Sequence, residues 1–258
     1  MSWNPDQYLK FADHRLRPAL DLLARIPAES PEAVVDLGCG PGNITEWLQK
    51  RWESARIVGV DSSAEMLGAA RTRWPGMTWE KADIGEWLPK TPASVIYSNA
   101  ALQWLDNHRS LFARLYGALA PGGVLAVQMP RNFDQPSHSL MRAVAQEGPW
   151  REILAPYLRH SPVAEPRDYW RMLEPLGASI DIWEGDYLQA LQGEDAVLQW
   201  VLGTALRPLL AALGEGERKD FLADYGARLR EAYPKEPGGT TLFPFRRLFI
   251  LASRPKSS

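Results

Sequence analysis

Cysteine is nearly absent from this chain, Cys39 being the only one. An internal disulfide framework and a multi-cysteine zinc site are thereby excluded. Histidine is scarce too, and His108 and His138 lack a partner at metal-ligand spacing, so no metal is expected. No uninterrupted apolar run approaches the ~20 residues that span a bilayer, so no membrane partner is expected. The opening Met1-Ser-Trp-Asn-Pro-Asp-Gln-Tyr-Leu-Lys10 is polar and lacks the apolar stretch of a signal peptide, which makes the cytoplasm the expected location. Excess charge of one sign is missing as well. With a formal net charge of -2, no global basic field points to a nucleic-acid partner.

What is present is an ordinary globular composition, 45% hydrophobic and 23% charged over 258 residues. That length suits one large α/β domain with a cap. The expected plan is a single domain: 1–30 as N-terminal lid helices, 31–130 as the core, 131–175 as a cap and substrate region, and 176–258 as a C-terminal half. Tryptophan is abundant, at 11, and Trp150, Trp170, Trp183 and Trp200 read as packing between cap and core.

From Val34 to Met129 short apolar runs alternate with amphipathic stretches, as in βαβ units around a parallel sheet. Strands are predicted at 33–37, 56–61, about 77–82, 94–98 and 124–129. Between them, Ile44, Trp47, Leu48 and Trp52 share one helix face. Ser62 and Glu65 fit a capping box before Met66, Leu67 and Ala70. Asn107 reads as the cap of a helix carrying Leu111, Leu115 and Leu119, stopped by Pro121-Gly122-Gly123. Further on, a strand is predicted at 179–183, helices at about 194–212 and 215–232, and a last strand at 248–252.

In such a sheet, ligands sit beyond the carboxyl ends of the strands, where strand order reverses. Those ends present Asp36, Asp61, Asp83, Asn99 and Arg131 in turn. Asp and Asn commonly begin turns, yet five polar exits beside a glycine-rich turn point to a ligand site. The turn is Asp36-Leu-Gly38-Cys-Gly40-Pro-Gly42-Asn43. A dinucleotide fingerprint would place its third glycine at position 43, where Asn43 stands, so the spacing argues against a pyrophosphate cradle. Cys39, small and in a tight loop, reads as filler rather than nucleophile.

The string Val34-Val-Asp-Leu-Gly-Cys-Gly-Pro-Gly42 resembles motif I of class I S-adenosylmethionine-dependent methyltransferases. The resemblance implies a Rossmann-like α/β fold, a mostly parallel seven-stranded sheet with helices on both faces and a helical cap. It also implies S-adenosyl-L-methionine as cofactor and S-adenosyl-L-homocysteine as product. Gly38, Gly40 and Gly42 then lie beneath the ligand behind Asp36. Asp61 matches the acid that grips the ribose hydroxyls, and Asp83 and Ile84 match the pair at the adenine. Ser62, Met66 and Trp87 line the adenine pocket, and Asn99 and Ala100 lie beneath the methionyl part. An NAD-dependent oxidoreductase stays open, since Asp61 would serve that ribose equally well, as does a non-catalytic adenosyl-binding protein.

Three more particular strings extend the resemblance along the chain: Trp3-Asn-Pro-Asp-Gln-Tyr8-Leu-Lys-Phe11, Ser98-Asn-Ala-Ala-Leu-Gln103-Trp104, and Phe243-Pro-Phe-Arg246-Arg247-Leu-Phe-Ile250. They are similar to the trans-aconitate methyltransferase family. This implies esterification of one carboxylate of trans-aconitate or a related small polycarboxylic acid, with a malonyl group on acyl carrier protein as the alternative acceptor. Tyr8 would belong to a lid over the cofactor. No general base is expected, because a carboxylate of ordinary pKa, ~4, is already ionised near neutrality. Gln103 and Trp104 would align the acceptor. The carboxylates that are not methylated call for arginine, which pairs with them through two parallel hydrogen bonds. Arg131, Arg171, Arg207 and Arg246 are the candidates, with strand alternation turning only one of Arg246 and Arg247 into the site.

Overall fold

The computed structural model describes residues 12–158, 161 and 163–256. Helix α1 (Ala12–Arg25) precedes a run of alternating elements: β1 (Ala33–Leu37), α2 (Thr45–Arg51), β2 (Arg56–Asp61), α3 (Ala64–Arg73), β3 (Thr78–Lys81), β4 (Ala93–Asn99), α4 (His108–Gly117) and β5 (Leu119–Pro130). There follow α5 (Pro136–Glu147), α6 (Arg151–Leu154), α7 (Pro166–Leu173), β6 (Ser179–Leu191), α8 (Ala196–Leu202), α9 (Arg207–Ala212), α10 (Glu215–Ala232) and β7 (Thr241–Ser253).

The strands form one seven-stranded sheet in the order β3-β2-β1-β4-β5-β7-β6. Strands β1 to β5 pair in parallel, and β7 lies antiparallel to β5. Strand order reverses between β1 and β4, which places the expected crevice at the carboxyl ends of those two strands. The fold is the α/β class read from the sequence. Among the described residues, no helix is long and apolar enough to cross a membrane.

Several local expectations are corrected. Ser63, not Ser62, caps α3: its hydroxyl accepts from Met66 N at 3.2 Å. Asp61 Oδ1 accepts from Ser63 N at 2.8 Å, and this Asx turn delays the helix by one residue. Asn107 does precede α4, but in a left-handed conformation with no side-chain cap. Leu119 belongs to β5, opposite Ala93, rather than to the helix, and a register shift between Ala93 and Val95 accommodates Pro121-Gly122-Gly123 inside the strand. In α2 the buried residues are Thr45 and Leu48. At 100° per residue Trp47 falls on the opposite side, half-exposed, with the Lys50 ammonium 4.8 Å from its ring. The stretch 194–212 is two helices, and β6 and β7 extend well beyond the spans expected for them.

By contact the described chain divides into two compact units. One holds the residues up to Pro130, those of Pro162–Gly185 and those from Arg247 on; the other holds Arg131–Ser161 and Asp186–Arg246. The first is built on the apolar strands β1, β4 and β5, with Leu37, Val95, Ile96 and Val127 sealed from solvent. The second has its own aromatic core. Trp150 packs edge-on against Phe221, and Trp200 against Phe243. These two tryptophans therefore pack within one unit, not between a cap and the core, while Trp170 is exposed. In the first unit Trp183 stacks on Phe249 with ring centroids 4.8 Å apart.

Candidate active site

The turn after β1 is a tight loop held to β2: Gly38 N and Cys39 N both donate to Val60 O, at 2.8 and 3.0 Å. Gly38 has φ +80, and a Cβ there would stand 2.2 Å from Ala101 Cβ. Only glycine combines that backbone with so close an approach. Gly40, at φ +55, is different: a Cβ there would meet nothing within 4 Å. Open space at the tip of the loop is what a ligand-bearing turn needs. Gly42 abuts Trp79, which also fills the space beside Gly59.

Asp61, at the end of β2, ties this loop in place. Its Oδ2 accepts from Gly40 N at 2.9 Å while Oδ1 accepts from Ser63 N at 2.8 Å. The carboxylate is thus fixed by two backbone donors, and each oxygen keeps a lone pair for a vicinal diol. Asp36 is buried beneath the loop, where Thr45 Oγ1 donates to its Oδ2 at 2.6 Å. Burial pushes its carboxyl up to about 7; the Thr45 hydrogen bond opposes the rise and the Asp61 charge adds to it. Cys39 is buried, and burial beside Asp36 and Asp61 pushes its thiol far up, so it is inert filler as expected.

The exit from β4 completes one wall. Ala100 sits at φ +53, an uncommon conformation for a residue with a side chain. Gln103 Nε2 donates to Ala100 O at 2.7 Å and holds the bend. Gly38 faces Ala101 on one side and Ile84 Cδ1, 3.6 Å from its Cβ position, on the other. The predicted Gly38, Gly40, Asp61, Ile84 and Ala100 are thereby brought together. Asp83 is exposed and caps its own turn, its Oδ1 accepting from Gly85 N at 2.8 Å. Met66 and Trp87 are buried, Ser62 is exposed, and Trp104 is 40% exposed. Tyr8 lies outside the described residues. Sequence reasoning missed Thr45 and Trp79, since nothing in their spacing advertises a partner packed beneath a distant turn.

The arginines separate. Arg131 N donates to Arg246 O at 2.9 Å in the second unit, and Arg246 Nε donates to Asp186 Oδ1 at 3.2 Å. Arg207 opens α9 in that unit. Arg171, in the first, makes an exposed ion pair with Asp168 at 3.2 Å. Arg247, also in the first unit, is 4% exposed. His108 is a buried packing residue: its Nε2 donates to Leu102 O at 3.0 Å, its Nδ1 accepts from Tyr169 Oη at 2.6 Å, and burial pulls its pKa down. Burial likewise pulls His138 down to about 4, beside Ser137 and the Arg142 charge.

A glycine turn under open space, an acid at the next strand end and this strand order are the marks of a Rossmann-like methyltransferase, and the methyltransferase-domain family matches residues 8–181. Trans-aconitate 2-methyltransferase of Azoarcus sp. (strain BH72) is 48% identical over 253 residues, 98% of this chain and 99% of the relative. That of Rhodopseudomonas palustris (strain BisB18) is 49% identical over 252 residues, 97% and 98% of the two chains. The chain belongs to the trans-aconitate 2-methyltransferase family. Among solved structures, the YcgJ protein of Bacillus subtilis superposes with TM-score 0.60 at 11% identity, over 93% of this chain and all of that one. Haemonchus contortus phosphoethanolamine N-methyltransferase 2 in complex with S-adenosyl-L-methionine superposes with TM-score 0.55 at 17% identity, over 93% of this chain and 53% of that one. At such identities these likenesses show the fold.

Proposed function

We propose that this chain methylates a carboxylate of trans-aconitate at the expense of S-adenosyl-L-methionine, releasing a monomethyl ester and S-adenosyl-L-homocysteine. One observation carries the donor half: Asp61 is locked by Gly40 N and Ser63 N under a turn whose tip is open. That is a rigid acceptor pair for ribose hydroxyls. The acceptor half is supported by full-length identity of 48–49% to proteins named for trans-aconitate methylation. The reaction is cytoplasmic.

The bound donor supplies a methyl group on a sulfonium, which leaves as a neutral thioether while the acceptor carboxylate oxygen takes the carbon. No proton moves, so no side chain need act as a base. What the chain supplies is alignment, through the Gly38–Gly42 turn, Asp61, Ile84 and the Asn99–Gln103 bend. Alignment of this kind supplies roughly 7–11 kcal/mol of barrier lowering. Asp36, Ser62, Met66 and Asp83 complete the donor site in this reading. Trp104 forms a wall of the acceptor site, and the spectator carboxylates take their positive charge from arginine.

Calorimetry with S-adenosylmethionine and with NADH separates this from the oxidoreductase reading. Binding of the first and none of the second is expected. Tight NADH binding without adenosylmethionine binding would overturn it.

A further inference from the structure

Register partners on adjacent strands share a face of the sheet. Asp36 faces Tyr97, and Tyr97 faces Ala126. Two residues further along, at the carboxyl ends, Asn99 faces Gln128, Gln128 faces Phe249, and Pro130 faces Arg247. All belong to the first unit and to one face, which lies under α1, where Tyr97 Oη donates to Ala19 O at 2.8 Å.

Gln128 is the anomaly on that face. It is fully buried, and neither its Oε1 nor its Nε2 has a hydrogen-bond partner; Asn99 Oδ1 beside it is likewise buried and unpartnered. Its neighbours along β5 are apolar, and an aliphatic residue would pack there without the cost of a desolvated, unpaired amide. An amide kept in such a place, at the ligand edge of the sheet, has a partner that arrives from outside the fold. The buried guanidinium of Arg247 stands diagonally across from it on β7. A donor amide beside a buried cation selects an anion with lone pairs to offer.

We infer that Gln128, with Arg247 beside it, is the subsite for a spectator carboxylate of the acceptor. Gln128 Nε2 donates to a carboxylate oxygen, and Arg247 supplies the compensating charge. This rests on the polycarboxylate reading above and adds the residue that makes the acceptor site prefer more than one carboxylate.

The test is calorimetric titration of trans-aconitate into protein loaded with S-adenosylhomocysteine, for the native chain, Gln128→Leu and Gln128→Glu, with KM and kcat measured alongside. Gln128→Leu is expected to weaken trans-aconitate about 10–150-fold and to raise KM in step, leaving S-adenosylhomocysteine within about twofold of native. Gln128→Glu, which sets a like charge against the acid, is expected to weaken it further. The thermal midpoint of Gln128→Leu should not fall, because an unpaired amide is removed. Should that variant fail to fold, Gln128→Met carries the same expectation. Trans-aconitate affinity within about twofold of native in a folded variant, or loss of S-adenosylhomocysteine affinity instead, would overturn the inference. Failure of the native chain itself to bind or methylate any polycarboxylic acid would remove the proposed function and this subsite together, and that failure is visible before any substitution is made.

Discussion

Two aspartates on the adjacent strands β1 and β2 meet opposite fates. Asp61 stays partly exposed, and its geometry is set by backbone donors on both oxygens. Asp61→Ala removes the acceptors for the ribose and frees Gly40 N, so S-adenosylmethionine affinity should drop by about 1.5–3 kcal/mol, or roughly 10–150-fold. Unchanged affinity by calorimetry would contradict the assignment. Asp36 is buried, and its carboxyl is raised from 3.8 to about 7. Between those values the folded chain holds a proton that the unfolded chain has released, so stability falls as pH rises from about 4 to about 7, by at most about 1.4 kcal/mol per pH unit. Asp36→Asn keeps an acceptor for Thr45 without the charge. Its thermal midpoint should therefore gain on the native protein between pH 5 and pH 8, and a constant gap would mean that Asp36 is ionised throughout.

At the scale of elements, the βαβ run was legible because its signals are local. Apolar strands such as Ala33–Leu37 and Arg56–Asp61 fall where the alternation put them. The glycine turn was legible for the same reason, since three positive-φ positions demand glycine. Contacts made across the fold were not legible. The inward pull of Asp36 on Thr45 decides which face of α2 is buried and leaves Trp47 outside. The aromatic core around Trp150, Phe221 and Tyr225 joins α10 to the residue just before α6, far away in sequence. Gln128 gave no sign either, because a polar residue within a strand marks nothing until both its neighbours and its missing partners are seen. The turn itself yields a sharp test. Gly38→Ala would force a Cβ to 2.2 Å from Ala101 at φ +80. Strain and overpacking together should cost at least about 2 kcal/mol, read as a lowered thermal midpoint. Native stability in that variant would mean that the turn is looser than described.

For the whole molecule, the chemistry needs a donor site, a carboxylate-selective acceptor site and no proton transfer. Above the acceptor's own pKa values, kcat should be flat with pH from about 6 to 8, because the buried histidines lie in packing roles and an acceptor of pKa ~4 is already ionised. A steep kcat ionisation that vanishes on substituting His108 or His138 would show that a base had been overlooked. The most direct measurement of all is transfer of a labelled methyl group from S-adenosylmethionine to a panel of mono-, di- and tricarboxylic acids and to malonyl-loaded acyl carrier protein. Expected is rapid labelling of trans-aconitate as a methyl ester that mild base releases, with monocarboxylates of similar size poorly used. A base-stable product, equal rates on mono- and tricarboxylates, or transfer to the carrier-bound acid alone would contradict it.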